Sequence, residues 1–106
     1  MVSFDDFKKL EIKTAKILEV KDHPNADKLL VLKIEVGDTQ KQIIAGIKNH
    51  YENDDLIGKT IVVVDNLEPA VIRGEESNGM LLAVKDEEAL SLLVPDKPIK
   101  SGNRIS

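Results

Sequence analysis

Between the apolar runs Ile61 to Val64 and Met80 to Val84 lies a stretch, Asn66 to Met80, whose residue types suit the recognition of a ligand. Arg73 offers a charged, planar set of donors, Ser77 a hydroxyl, and Asn66 both a donor and an acceptor. Asn66 and Pro69 favour turns, while Gly74 and Gly79 permit backbone angles closed to other residues. The stretch therefore reads as a loop held at both ends by strands, its middle free to make contacts. The cations Lys28, Lys33, Lys41, Lys48 and Arg73 are candidates for one shared surface, with Asp54, Asp55, Asp86, Glu87 and Glu88 on others. These features describe a small β-rich binding module without choosing its ligand. Catalytic chemistry finds less support. Glu75 and Glu76 are adjacent rather than placed across a substrate, and no nucleophile with its base is visible. His23 and His50 are the only histidines, cysteine is absent, and the carboxylates show no ligand spacing. Disulfides and thiol chemistry are excluded, and no metal, cofactor or enzymatic activity is expected.

A chain of 106 residues suits one domain with one core, spanning 1–106. A formal charge of -4 and a pI near 5.1 argue against loose, sequence-independent adhesion to nucleic acid but allow a localised basic site. No apolar run approaches the roughly 20 residues that span a bilayer. Charges interrupt the start before a hydrophobic region forms, so the expectation is a cytoplasmic protein with no signal peptide and no membrane partner.

Positioning those residues requires a set of short strands. Ser3 is a possible N-cap for a helical turn whose Phe4, Phe7 and Leu10 share a face, expected to plug one end of the core. From Glu11 to Lys21 the apolar alternation breaks at Ile17 and Leu18, which predicts a long bent strand with a bulge there. Asp22 to Lys28 is a loop in which His23 bonds locally. Leu30, Leu32, Ile34 and Val36 alternate with polar or outward residues in a second strand. Gly37, Asp38 and Thr39 turn it into a third, Gln40 to Ala45. A short helix ending at Gly58, a strand over Thr60 to Asp65, and a fifth over Met80 to Val84 follow. This order matches an all-β, five-stranded OB-fold barrel with a short helix between strands three and four. A C-terminal extension from about residue 86 carries Leu90, Leu92, Leu93, Ile99 and Ile105, apolar residues in need of a partner surface, either a core edge or another subunit.

Five separated matches, in order, now become specific. They are Phe7, Leu10, Ile12, Lys16 and Ile17; His23 through Leu29; Ile43 through Ile47; Asn66, Leu67 and Pro69; and Arg73, Gly74, Ser77 and Gly79 through Leu82. Together they resemble the structure-specific tRNA-binding domain, found as a free homodimer and as the C-terminal appendix of methionyl-tRNA synthetases. The resemblance covers nearly the whole chain. It implies non-catalytic binding of folded tRNA near its outside corner, with the 66–80 loop and the connection from strand one to strand two as the contact region. Ser77 and Met80 are its most direct carry-overs, and Lys41 takes the place of a basic residue before the third strand. It also implies a homodimer, with Leu90, Leu92, Leu93, Ile99 and Ile105 at or near its two-fold interface, and a methionyl-tRNA synthetase as a further partner. Two positions depart from the pattern: Lys13 replaces arginine and loses its fork, and Ala45 stands where serine is common.

Folded RNA presents phosphates, 2′-hydroxyls and exposed base edges. Lys28, Lys33, Lys41 and Arg73 suit the phosphates, Asn66 and Ser77 the sugars or base edges, and Met80 an apolar contact. Each also has a structural reading. Asn66, Pro69, Gly74 and Gly79 shape the loop, Ser77 caps it, Met80 fills the barrel mouth, and Arg73 or Lys28 pairs with Glu75 or Asp27. The alternative function is a protein-interaction module, either an export-type chaperone or a docking subunit for a synthetase.

Overall fold

The phase break at Ile17 and Leu18 determines how the sheet closes. In the computed structural model, which describes residues 1–106, β1 (Ile12–Asp22) pairs antiparallel with β4 (Thr60–Val64) through its first half and with β2 (Leu30–Val36) through its second. The β1–β2 register shifts between Ile17 and Glu19. Ile17 and Val20 lie an odd number of residues apart, so a regular strand would send them to opposite faces. The extra residue brings both to the core. Gly58 N–H and Ile17 O, with Ile17 N–H and Lys59 O, satisfy the backbone where the ladder is interrupted, at 2.8 and 3.0 Å.

β2 turns at Gly37, whose φ is +62°, into β3 (Thr39–Ala45) in unbroken register from Val36↔Thr39 to Leu30↔Ala45. With β7 (Met80–Leu81) the curled sheet runs β3-β2-β1-β4-β7. Asn78 N–H to Gln42 O, 2.9 Å, joins its far edges. Ile17, Leu30, Leu32, Ile34, Ile43, Ile61 and Val63 fill the interior, each removed from water with about 2 kcal/mol of favourable transfer energy. The all-β barrel is thus the one expected, with α2 (Asn53–Leu56) between β3 and β4.

Three expectations are corrected. The N-terminal helix α1 (Phe4–Lys8) does have Ser3 as its N-cap, accepting from Asp6 N–H at 3.1 Å, but it buries no residue, and Phe4 is 71% exposed. A five-residue helix is short enough to be held by its end, here through Asn66 to Lys9 O and Arg104 to Lys8 O. Leu56 of α2, fully buried, fills the core instead. The fifth strand breaks at Leu82: β8 (Ala83–Lys85) leaves the sheet to form a hairpin with β9 (Leu90–Leu92). Finally, Leu92 is 4% exposed and belongs to the core cluster, so its side chain is unavailable to another subunit.

The tail beyond β9 returns to β1. Gly102 N–H donates to Thr14 O at 2.7 Å, Thr14 N–H to Asn103 O at 2.9 Å, and Ile105 N–H to Ile12 O at 2.7 Å. It occupies the edge of β1 that β4 leaves open. No helix is long and apolar enough to cross a membrane.

Candidate nucleic-acid interface

The middle of the 66–80 stretch is an ordered hairpin rather than a free loop. β5 (Ala70–Ile72) pairs with β6 (Glu75–Ser77) across a two-residue turn at Arg73 and Gly74, with φ of +53° and +91°. Two successive positive φ values are the mark of a tight turn whose twist suits the flanking strands. Glycine fits there freely, but arginine in the left-handed region costs about 1 kcal/mol. Gly79, φ +155°, is required for a second reason, since a Cβ there would lie 3.0 Å from Val64 O.

This hairpin leans against the β1–β2 connection. Arg73 Nη2 donates to Asn25 O at 3.0 Å, and Asn25 Nδ2 donates back to Arg73 O at 3.2 Å. Lys28 and Arg73 consequently line one cleft together with Asn25, Ala26, Asp27 and Leu29. The two expected contact loops do meet at one rim. Beside β1, β2 and β3 a groove of about 690 Å³ has Leu18, Val20, Val31 and Ile57 among its lining residues, with Lys21, Lys33 and Lys41 as cations and Glu19 as a carboxylate. Ion pairs engage Lys9, Lys13, Lys41 and Lys48; Lys21, Lys28, Lys33 and Arg73, which line this cleft and groove, are among the cations without a salt bridge. A chain of net negative charge therefore still presents unpaired cations along this side.

The remaining expected residues are engaged internally. Lys41 Nζ lies 2.7 Å from Asp65 Oδ1 and 3.0 Å from Asp65 O, drawn into the barrel mouth. Asn66 accepts from Glu11 N–H at 2.9 Å and donates to Lys9 O at 2.7 Å, tying α1 to the loop. Ser77 is 4% exposed, and its hydroxyl accepts from Ile44 N–H and donates to Gly79 O, both at 3.0 Å. Met80 is about half exposed. Residue types place Asn25 only as a local turn residue within the His23–Leu29 loop, and Lys21 carries no signal of its own. Their types fit any turn or strand surface, and no spacing rule links residue 25 to residue 73.

Asp65 also bonds Lys13 Nζ at 3.0 Å. Partial burial disfavours its charged form, but hydrogen bonds from Lys41 and Lys13 outweigh that and hold its pKa below the ordinary carboxylate range. The Asp65 hydrogen bond raises Lys13 despite a lowering by burial. A depressed carboxylate pKa stabilises the fold above its unfolded-state value, and the contribution disappears as pH falls through the folded value. We expect Asp65→Asn to lose about 2 kcal/mol near neutrality. In urea titrations its gap from the parent should close below about pH 4. A gap that is constant from neutrality to pH 2 would refute the pairing.

Residues 12–104 match the family described as "Putative tRNA binding domain". The chain is 52% identical over 104 residues to a methionine–tRNA ligase of Thermococcus kodakarensis and 47% identical over 105 residues to that of Nanoarchaeum equitans. These alignments take in 98% and 99% of this chain but 14% of each relative, so the chain spans about one seventh of their length. Among solved structures it resembles a MetRS related protein from Pyrococcus horikoshii, with a TM-score of 0.92 at 26% identity, covering 100% of this chain and 98% of that one. It resembles equally a CsaA chaperone protein from Picrophilus torridus, with a TM-score of 0.92 at 35% identity and full coverage of both. A curled five-stranded sheet with two connections meeting over unpaired cations, and a match spanning residues 12–104, make this chain a member of the tRNA-binding domain family, related to the methionyl-tRNA synthetase domain.

Proposed function

We propose that this chain binds folded tRNA without catalysing a reaction, as a cytoplasmic homodimer with a methionyl-tRNA synthetase as a further partner. The observation that carries this reading is the convergence of Lys28 and Arg73, far apart in sequence, on one cleft in which neither forms a salt bridge, although Asp27 lines it too. Two cations at fixed separation suit a folded phosphate backbone better than a flexible strand, and the lack of Trp, with one Tyr and two Phe, leaves no platform for successive bases. Lys33, Lys21 and half-exposed Met80 extend the contact surface, while Asn66, Ser77 and Lys41 hold its shape. The dimer reading is supported by exposed Phe4, Leu93, Val94 and Ile99, an apolar set that a second copy would cover. Leu90 and Ile105, half-buried, would contribute their edges.

A gel-shift series at fixed salt tests the proposal, comparing several folded tRNAs with an unstructured RNA of equal length, alongside light scattering of the free protein. Preferential binding of the folded RNAs, by a particle of twice the 11.7 kDa chain mass, is expected. Equal binding of both RNA types would end the structure-specific reading, and a mass of one chain would end the dimer.

A second reading, capture of other polypeptides, is favoured by the apolar residues lining the β1–β3 groove and by the likeness to proteins described as chaperones. Suppression of client aggregation that survives substitution of Lys28 and Arg73 would identify it.

A further inference from the structure

We infer that His23 is the positioning residue of this interface, a buried bracket that locks the β5–β6 hairpin to the β1–β2 connection so that Lys28 and Arg73 act as one preformed pair. The inference rests on the tRNA-binding reading above and adds the device that makes the cleft rigid.

His23 is 5% exposed although it stands in a polar loop between exposed residues. Its Nδ1 faces Asn25 N–H at 2.9 Å, a group that can only donate, so Nδ1 accepts. In the neutral ring the proton then resides on Nε2, which faces Ile72 O at 2.9 Å, a group that can only accept. One side chain thus fixes the start of the loop that ends at Lys28 and the residue just before the turn that carries Arg73. Pro24 limits His23 to extended backbone, which narrows the freedom of the chain at the point where the ring spans its own loop and the hairpin. Asn25, set by that same bond, completes the lattice through its reciprocal hydrogen bonds with Arg73.

The left-handed Arg73 gives this bracket its purpose. An arginine at a position better suited to glycine or asparagine is held there by the contacts of the neighbouring loop, not by its own preference. Without His23 the hairpin keeps its three register pairs and its bonds to β3, but the β1–β2 loop is tied to it only through the exposed Asn25–Arg73 bonds, so the two cations would be held less firmly relative to one another. Rigid cations bind phosphates with less ordering loss than mobile ones, an advantage in affinity that brings no additional phosphate contact.

That distinction supplies the test. Binding of one folded tRNA transcript is measured against salt concentration for the parent, His23→Ala, His23→Gln, Asn25→Ala and Lys28→Ala, with each protein's fold checked by circular dichroism. A residue that touches phosphate changes the slope of log K against log salt by about one when removed, whereas a positioning residue lowers affinity and leaves the slope unchanged. We expect His23→Ala to bind about tenfold more weakly at unchanged slope, His23→Gln to recover part of the loss through its amide donor to Ile72 O, and Asn25→Ala to weaken binding in the same slope-preserving way. Lys28→Ala should reduce the slope. Parental affinity in both His23→Ala and Asn25→Ala, or a slope reduced as in Lys28→Ala, overturns the inference. Should His23→Ala fail to fold, Asn25→Ala decides alone, since Asn25 is exposed and outside the core. A parent that fails to bind tRNA overturns the function and this inference with it. A parent that binds with variants that match it overturns the bracket alone.

Discussion

Replacing Lys28 and Arg73 together by glutamate is expected to weaken binding to folded tRNA by about 100-fold or more at moderate salt and to reduce the salt dependence by about two phosphate equivalents. Both side chains are exposed, and neither is ion-paired, so the exchange removes little packing. Arg73 does lose its bond to Asn25 O, but the hairpin retains its own register and the Asn25 Nδ2 bond to the residue 73 carbonyl. The same double exchange at Lys85 and Lys97, exposed cations outside the cleft and groove, should weaken binding by much less, because unlocalised charge contributes only a screened term. Filter binding over a salt series separates the outcomes. If both pairs lower affinity equally, the attraction is one of net charge and the cleft has no special part in it.

Gly102→Ala should be among the most destabilising single-methyl changes in the chain, costing about 3 kcal/mol. A Cβ there would sit 2.6 Å from Gly37 Cα and 2.7 Å from Gly37 N, both backbone atoms of the β2–β3 turn, and φ at +85° adds strain of its own. Relief requires the tail to pull away from β1, which takes with it the bonds of Gly102 and Asn103 to Thr14 and of Ser101 to Glu35. The facing glycine makes a built-in control. At Gly37 a Cβ would meet its nearest neighbour, Gly102 Cα, at an ordinary 3.6 Å, and φ of +62° lies where asparagine is tolerated. Gly37→Asn should therefore cost about 1 kcal/mol or less. Urea midpoints that rank the two the other way would show that the tail does not press on the turn.

Much of this architecture is legible in residue types alone, and the parts that are not share a cause. The β2–β3 hairpin shows itself through strict alternation and a glycine turn, and the β1 bulge through the break in alternation at Ile17 and Leu18, although Leu18 itself lines the groove and Val20 is the residue brought to the core beside Ile17. Both signals are local. The β5–β6 hairpin is less visible because its strands are three residues each and carry Arg73 where a glycine or asparagine would announce the turn. Phe4 and Phe7 look like core residues because their spacing reports a shared face but not what covers it. Leu92 looked available to a partner because nothing local shows that β8 leaves the sheet and returns it inward. At the cleft, Lys28 and Arg73 are readable as cations, yet their meeting depends on His23 and Asn25. Pairings across some fifty residues leave no periodic trace in the sequence.

The tail that completes β1 has a kinetic consequence. Thr14 finds a partner in Lys100, 86 residues on, and Leu10 finds one in Arg104, 94 residues on. Contacts of such separation are slow to assemble, because the entropic cost of closing a long loop precedes any stabilisation from the contact. Closing the edge of the first strand therefore joins the two ends of the chain, a topology that slows folding relative to one built on local pairings.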